Sequence, residues 1–238
     1  RIVICVPSGI TEVEKRAVRE TAEQAGAKEV HLISEPMAAA IGIGLDVHAS
    51  YGNMIVDIGG GTTEIAVITL SGNANDESIK TAGDELTEAI VRFFRSNHNI
   101  LIGERTAEEI KCQVGSVMPM SEEVIIEVKG RDLVAGVPKI TEVSSQEIRE
   151  ALNPVASLMV DAIKLALEKT APELSSDILE RGIFLTGGGA LIKGLDERIS
   201  TETGVPVHVA EDPLTAVVRG TGKVLENIDN YRKVMLRR

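Results

Sequence analysis

The chain has 238 residues, of which 43% are hydrophobic and 26% charged, so its length and composition are those of a folded protein of one or two domains. Its formal net charge is −11, with two Tyr, three Phe and no Trp. This composition argues against nucleic acid as a partner, because binding it would need a basic surface and stacking rings. The longest apolar stretch, 36–45, is too short for a membrane-spanning helix of about 20 residues.

The chain opens at Arg1 directly into a β-branched run, so we expect it to begin partway through a fold rather than with a signal peptide. Its two cysteines, Cys5 and Cys112, lie far apart in unlike sequence patterns. This arrangement predicts reduced thiols in a cytoplasmic protein. The four histidines show no metal-ligand spacing, and we assign them no role.

Strands and helices alternate along the first 70 residues. The predicted elements are a strand over 1–7, a helix over 11–27, a strand over 29–35, a helix over 36–45 and a hairpin over 53–70. The first helix opens with a capping box formed by Thr11 and Glu14. The hairpin has to turn at the three consecutive glycines 59–61.

Helices dominate after residue 82. The predicted elements are helices over 83–97 and 106–117, an antiparallel ribbon over 122–144, a helix over 144–170, and a strand, glycine turn and helix over 182–204. Thr106 and Glu109 form the predicted capping box of the second of these helices, and Pro154 is expected to kink the long one. The alternation predicts an α/β body with residues 82–146 inserted as a second, smaller lobe.

The segment IVDIGGGTTEIAV (55–67) places three glycines between two apolar runs. Glycine tolerates positive φ and lets backbone amides approach an anion closely, so the turn predicts a phosphate-binding loop. Thr62 adds a hydroxyl, and Asp57 is placed to hold the water shell of a Mg²⁺ ion that bridges the phosphates. A hairpin that only needs flexible residues is the alternative, but it accounts for one glycine rather than three.

A second glycine cluster follows an apolar strand in IFLTGGGALIKGL (183–195), where it leads into a predicted helix whose N-terminus would favour an anion. Neither cluster is followed by the Lys-Ser/Thr of a phosphate-binding P-loop, and neither has the spacing of a dinucleotide-binding fingerprint. Two such turns predict a ligand held between two related halves.

Four segments together resemble a known superfamily: SEPMAAAIG (34–42), DIGGGTTE (57–64), GERTAEEIK (103–111) and FLTGGGALIKGL (184–195). Their order and spacing are similar to those of the actin, Hsp70 and sugar-kinase ATPases, and the third segment resembles specifically the MreB family of bacterial actins. The resemblance runs from Arg1 to about Gly220. It implies an actin-like (ribonuclease H-like) ATPase fold, truncated at the N-terminus, with a smaller α+β subdomain inserted.

The resemblance also implies a division of the chain. Residues 1–45 would be the remainder of the first lobe with its connecting helix. Residues 46–81 and 147–238 would form the body of the second lobe, with the C-terminus returning toward the first. Residues 82–146 would be the inserted subdomain.

The resemblance further implies a site for ATP or GTP with Mg²⁺, in which Glu35 lies near the attacking water and Glu35 and Thr62 are catalytic. The implied nucleotide-binding residues are Asp57, Gly59, Gly60, Gly61, Thr62, Gly83, Asp84, Glu108, Glu109, Ile110, Lys111, Gly187, Gly188, Gly189, Ala190 and Leu191, with Asp57 holding Mg²⁺ through water.

Some of these residues also have simpler interpretations. Glu35 precedes Pro36, a good first helical residue, and could be only a helix N-cap. Lys111 could be a solvated lysine near the end of its helix. The basic end 231–238 is expected to be a solvated helix end rather than a surface for acidic lipid or an acidic partner.

By the same resemblance, the intact protein would be a slow ATPase coupled to polymerisation, which organises cell-wall synthesis and rod shape. Its partners would be further copies in polar, paired protofilaments, the shape-determining proteins RodZ, MreC and MreD, and the inner membrane surface. Family members carry a first phosphate hairpin of the type D-x-G-T near the N-terminus, and this sequence has none. We therefore expect the chain alone to lack activity and to bind ATP more weakly than the intact protein.

Two other functions share the glycine motifs. An Hsp70-like chaperone ATPase would need a peptide-binding β domain after a hydrophobic linker, whereas this chain ends in NIDNYRKVMLRR. A small-molecule kinase would need a substrate pocket with its own general base, and no extra carboxylate stands out. We favour the filament protein.

Overall fold

The structure is a computed structural model and describes residues 1–236. Its strands are β1 Ile2–Val6, β2 Val30–Ser34, β3 Asn53–Ile58, β4 Thr63–Thr69, β5 Gly72–Ile79, β6 Ile100–Leu101, β7 Ile125–Asp132, β8 Pro138–Ser144, β9 Ile183–Thr186 and β10 Val207–Val209. Its α-helices are α1 Glu12–Gln24, α2 Glu35–Gly42, α3 Gly83–Asn97, α4 Glu104–Val114, α5 Ser145–Glu168, α6 Pro172–Arg181, α7 Leu195–Thr203, α8 Ala216–Glu226 and α9 Ile228–Tyr231. Single 3-10 turns span Gly188–Leu191 and Pro213–Thr215.

The strands form three sheets. β1 and β2 pair in parallel, β6, β7 and β8 form an antiparallel sheet, and the largest sheet has the order β10-β9-β3-β4-β5. In this five-stranded sheet, β3 pairs antiparallel with β4 and parallel with β9. The predicted hairpin over 53–70 and the ribbon over 122–144 are therefore confirmed.

Alternate residues of the central strands pack on opposite faces of the five-stranded sheet. Met54, Val56 and Ile58 join the largest hydrophobic cluster, to which α3 and α5 contribute. Ile55 and its cross-strand partner Ala66 join a second cluster with the alanines of α2. Both faces are thus covered, which explains why β3 is buried along its whole length.

Two glycines mark the place where α2 and α8 cross with their backbones in contact. A Cβ on Gly42 would lie 1.8 Å from the carbonyl oxygen of Ala216, and a Cβ on Gly220 would lie 1.7 Å from that of Ala38. Lys223 Nζ donates to two carbonyls of the last turn of α2, at 3.0 and 3.1 Å. The small residues of SEPMAAAIG therefore serve a close helix crossing that holds α2 in place.

The sequence prediction of helix starts was correct for α1 and wrong for α4. Thr11 and Glu14 form the predicted capping box of α1. The box predicted from Thr106 and Glu109 does not exist, because α4 begins earlier, at Glu104, with Gly103 as its N-cap. Thr106 already lies within the first helical turn.

Three further elements are the turn at the glycines 187–189, the helix α5 and the strand β5. The glycines 187–189 lead into a 3-10 turn rather than directly into an α-helix, and α7 begins only at Leu195. α5 runs from Ser145 to Glu168 as one helix that contains Pro154, and the predicted kink at this proline stays a prediction. The strand β5 was not predicted, because GNANDESI is polar and lacks hydrophobic alternation.

The C-terminal stretch 231–238 was predicted as a solvated helix end, and residues 237 and 238 lie outside the described part. Within that part the prediction is wrong, because α9 ends at Tyr231 and Val234 is buried. The amide of Leu236 donates to the carbonyl of Leu32 in β2 (2.8 Å). No helix within residues 1–236 is long and apolar enough to cross a membrane. The division of the chain into lobes, with 82–146 inserted, stays a prediction.

Candidate functional site

The two glycine turns line the same cavity, which has a volume of about 460 Å³. Between them lie the first turn of α3 and one face of α4. The lining residues are Gly59, Gly60, Gly83, Asp84, Leu86, Glu108, Lys111, Cys112, Gly115, Gly188, Gly189, Leu191, Ile192 and Leu214. The cleft combines glycine backbone from the two turns, the charged side chains of Asp84, Glu108 and Lys111, and several apolar side chains, as ligand sites generally do.

The turn between β3 and β4 offers unpaired amides. Gly59 N donates to Thr62 O (2.9 Å), whereas the amides of Gly60, Gly61 and Thr62 have no acceptor within residues 1–236. The expectation of positive φ at these glycines is wrong, since none of the three adopts it. Three successive free amides at a turn form the kind of concavity that binds anions.

Close packing against α3 explains why two residues here are glycine. A Cβ on Gly60 would lie 3.2 Å from Asp84 Oδ1, and a Cβ on Gly83 would lie 3.1 Å from the carbonyl oxygen of Gly59. The amides of Gly83 and Asp84 donate to the carbonyls of Gly59 (3.1 Å) and Gly60 (2.8 Å). The first two amides of α3 thus hold the turn from one side and leave its own amides facing outward.

In the second glycine turn, close contacts with Ile58 leave no room for a side chain at two positions, and one of these also has positive φ. Gly187 has φ +80°, and a Cβ there would lie 2.3 Å from the carbonyl oxygen of Ile58. A Cβ on Gly189 would lie 2.1 Å from Ile58 Cγ2. These approaches bring the second turn against the end of β3. The amides of Gly188 and Gly189 have no acceptor among the described residues, and both glycines line the cavity together with the first turn.

Lys111 is buried rather than solvated, which corrects the simpler interpretation of this residue. Its Nζ contacts the carbonyl of Gly83 (2.9 Å), Thr87 Oγ1 (2.9 Å) and Glu108 Oε2 (2.6 Å). Burial alone would raise the pKa of Glu108, but the hydrogen bonds from Lys111 and Thr87 outweigh it and lower that pKa. The pair therefore fixes α4 to the start of α3 as an ionised unit on the cavity wall.

Other residues named from the resemblance do not reach the cavity. Glu109 faces solvent, where it pairs with Arg105 (3.1 Å). Ile110 and Ala190 are buried in the hydrophobic core. Glu35, Asp57, Gly61, Thr62 and Gly187 lie outside the cavity lining, whereas the remaining predicted residues line it. Glu108 and Lys111 are three residues apart and so lie on the same face of α4, which lines the cavity. Glu109 and Ile110, between them in sequence, lie on other faces.

A row of polar side chains crosses the five-stranded sheet beside the first glycine turn. Thr186, Asp57, Glu64 and Ser78 are direct partners on β9, β3, β4 and β5. Thr186 Oγ1 donates to Asp57 Oδ1 (2.9 Å), and Ser78 Oγ donates to Glu64 Oε1 (2.6 Å). Burial raises the pKa of Asp57, the bond from Thr186 opposes this, and the charge of Glu64 raises it further.

Glu35 is the first residue of α2 and is not its N-cap, which is Ser34. The N-cap interpretation of Glu35 is therefore wrong. Burial raises the pKa of Glu35 to about 7, and the charges of Glu64 and Asp57 add to this effect. A carboxyl group with a pKa near neutrality can accept a proton at physiological pH.

The donor set bears on the predicted Mg²⁺. Within residues 1–236, no three His, Cys, Asp or Glu side chains cluster as metal ligands. Asp57 is nevertheless buried beside the free amides, with one carboxylate oxygen bonded to Thr186. A single carboxylate suits Mg²⁺ that keeps most of its waters and binds phosphate oxygens, and it does not suit a bare ion held by protein alone.

Sequence reasoning missed Glu64, although it stands within the motif DIGGGTTE. A turn of four residues between Ile58 and Thr63 puts Asp57 opposite Glu64 and on the same face of the sheet, so hairpin length was the available signal. Cys112 and Leu214, which line the cavity, carried no comparable signal. They come from separate helical segments that only the tertiary fold brings together.

We expect the Glu35→Gln variant to be more stable than the parent above pH 7. The pKa of Glu35 rises from its ordinary value of 4.5 to about 7 on folding, so the folded state holds its proton longer and stability falls as pH rises from 4.5 to 7. The variant should gain on the order of 2 kcal/mol at pH 8 and little at pH 4. Urea unfolding at both pH values measures this, with Glu109→Gln as a solvent-facing control. Equal gains at both pH values would contradict it.

Comparisons with known proteins agree with this geometry. The family model described as MreB/Mbl protein matches residues 1–233. The cell shape-determining protein MreB of Escherichia coli (strain K12) is 56% identical over 231 residues, which cover 97% of this chain and 67% of that protein. The cell shape-determining protein Mbl of Bacillus subtilis (strain 168) is 47% identical over 233 residues, covering 98% of this chain and 70% of that protein.

Among solved structures, MreB 5 of Spiroplasma citri bound to AMPPNP has a TM-score of 0.93 at 37% identity, covering 97% of this chain and 69% of that one. This similarity confirms the actin-like fold that the sequence motifs implied. The chain spans about two thirds of the length of these relatives. The chain belongs to the MreB/Mbl family.

Proposed function

We propose that the chain binds ATP in the cavity between its two glycine turns and belongs to a slow ATPase that forms filaments and organises cell shape. The observation that carries the proposal is that Gly60 and Gly188, from segments more than a hundred residues apart, face one cavity beside unpaired amides. The MreB 5 structure with TM-score 0.93 was solved with AMPPNP, an ATP analogue.

The residues take separate tasks in this proposal. The amides of Gly60, Gly61 and Thr62 bind phosphate oxygens from one side, and those of Gly188 and Gly189 do so from the other. Asp57 would hold Mg²⁺ through its water shell. The wall formed by Glu108, Lys111 and Leu214 accommodates the ribose and base.

ATP with Mg²⁺ supplies the phosphoryl group and the charge that the loop amides neutralise. Glu35 holds the attacking water and takes its proton, since its pKa of about 7 leaves much of it ionised at neutral pH. The hydroxyl of Thr62, at the same turn, assists Glu35 in this step.

The wider function rests on the family. We propose that copies of the protein assemble into polar, paired protofilaments in the cytoplasm at the inner membrane surface, with RodZ, MreC and MreD as partners. Residues 82–146 would form the inserted lobe. The chain by itself would bind ATP weakly and hydrolyse little, because the D-x-G-T hairpin of the family would supply the opposite half of the phosphate contacts.

Filament formation distinguishes this proposal from the chaperone and kinase alternatives, which the names of the relatives do not favour. The suitable protein is the chain joined to the part of the E. coli relative that precedes the matched region, referred to below as the extended chain. At micromolar concentration it should sediment with ATP and remain soluble without it. An extended chain that binds ATP but never sediments would refute the filament proposal.

The Gly60→Val variant of the extended chain tests the site itself. The side chain would displace Asp84 and cover the free amides, each of whose bonds to a charged phosphate is worth about 1.5–3 kcal/mol, so ATP affinity should fall about 100-fold or more. Calorimetry measures the affinity, and circular dichroism checks the fold. Gly72→Val is the control, because a Cβ there meets only Thr69 O at 3.9 Å. Parental affinity in Gly60→Val would refute the assignment of the site.

A further inference from the structure

Glu64 is a buried carboxylate for which the proposed function gives no task. It is fully buried, and both of its oxygens are used. Oε1 accepts from Ser78 Oγ (2.6 Å) on the neighbouring strand, and Oε2 accepts from the backbone amide of Ser8 (3.0 Å), which lies far away in sequence. The second bond joins the five-stranded sheet to the loop that follows β1.

The burial of Glu64 lowers the stability of the fold. Glu64 lies directly opposite Asp57, and like charges across a strand pair are destabilising. No Lys, Arg or His within residues 1–236 forms an ion pair with it. A buried carboxylate without a cation is expensive, and a neutral side chain of equal volume would fold at lower cost.

The loop that Glu64 holds is connected to Glu35 through the pairing of β1 with β2. Ser8 follows β1, whose last residue Val6 pairs with Ser34, and Glu35 is the next residue after Ser34. The Ser8 hydroxyl is buried without a partner among the described residues. The hydrogen bond from the Ser8 backbone amide to Glu64 is therefore the polar contact that holds Ser8. This hydrogen bond therefore links the loop after β1, and through it the β1–β2 pair, to the strand that follows the phosphate turn.

We propose that Glu64 is a positioning residue: its carboxylate fixes the loop after β1 against the phosphate hairpin and thereby sets the distance between Glu35 and the turn that holds the phosphates. The inference rests on the proposed function. Glu64 acts through Ser8 and the β1–β2 pair, and it does not itself contact the nucleotide.

Two substitutions of nearly equal volume separate this role from packing. Glu64→Gln keeps an oxygen that accepts from the Ser8 amide, and its NH₂ group can donate to Ser78 Oγ. Glu64→Met fills the same space without an acceptor. Glu64→Gln removes the carboxylate but keeps an acceptor, so it should fold at least as stably as the parent. Glu64→Met leaves the Ser8 amide and the Ser78 hydroxyl without an acceptor, so circular dichroism has to establish that it folds. Glu77→Ala is the control, because it removes a carboxylate of β5 that pairs with Lys169 instead.

The first measurement needs no nucleotide. Hydrogen exchange of the Ser8 amide in the 238-residue chain should accelerate about tenfold or more in Glu64→Met, because its only acceptor is lost, and should stay near the parental rate in Glu64→Gln and Glu77→Ala. Unchanged Ser8 exchange in Glu64→Met would overturn the proposal even if the chain never bound ATP.

The second measurement uses phosphate release by the extended chain. Glu64→Met should lower kcat about 10- to 100-fold with little change in ATP affinity, because a misplacement near 1 Å costs about that much, and Glu64→Gln should restore most of the rate. Parental turnover in a folded Glu64→Met variant, or equal losses in both variants, would overturn the proposal. An extended parent chain that neither binds nor hydrolyses ATP would instead refute the proposed function.

Discussion

We expect Gly220→Ala to destabilise the chain by about 3 kcal/mol or more, which is a large part of the stability of a typical domain. The added methyl group would lie 1.7 Å from the carbonyl oxygen of Ala38 and would force α8 away from α2. Because α2 begins with Glu35, the change should also displace the carboxylate that we propose to be catalytic. Urea unfolding monitored by circular dichroism measures the loss.

Gly222 provides a matched control two residues along the same helix. A Cβ at this position meets nothing within 4 Å, so Gly222→Ala should stabilise the chain by up to about 1 kcal/mol through helix propensity alone. The two variants thus differ in sign although the chemical change is identical. Equal stability of Gly220→Ala and the parent would show that the helix crossing is looser than the structure has it.

We expect Glu35→Ala to lower phosphate release by the extended chain about 100-fold or more while ATP affinity changes little. The carboxylate would act mainly in the transition state, by holding the attacking water and taking its proton. Filaments of the variant should persist longer, because hydrolysis times their turnover. Phosphate release and sedimentation on the same sample measure both effects.

The control for this experiment is Glu109→Ala, which removes a glutamate that pairs with Arg105 in solvent and leaves the cavity untouched. Its turnover and ATP affinity should equal those of the parent. Glu35 lies in the first turn of α2, after the N-cap residue Ser34, so thermal melting of the same sample separates lost helix stability from lost catalysis. Unchanged phosphate release would remove Glu35 from the catalytic residues.

Residues that are close in the sequence were enough to predict most of the helices and strands and the position of both glycine turns. Thr11 and Glu14 start α1 as predicted, because a capping box involves only residues within one turn. The hairpin around Gly60 was equally predictable, since two apolar runs flank a short turn. Even Glu64 was within reach, because the turn length fixes which residue lies opposite Asp57.

Contacts between distant parts of the chain determine which side chains share the cavity and why some of the glycines are there. Gly60 packs closely against Asp84 and does not adopt positive φ, and that neighbour belongs to another element. From the sequence, Lys111 looks like a solvated residue near the end of its helix. In the structure it is buried, because Gly83 and Thr87 at the start of α3 accept its hydrogen bonds. Local sequence fixes backbone conformation and periodicity, whereas burial, close approach and pKa depend on groups that come from distant parts of the chain.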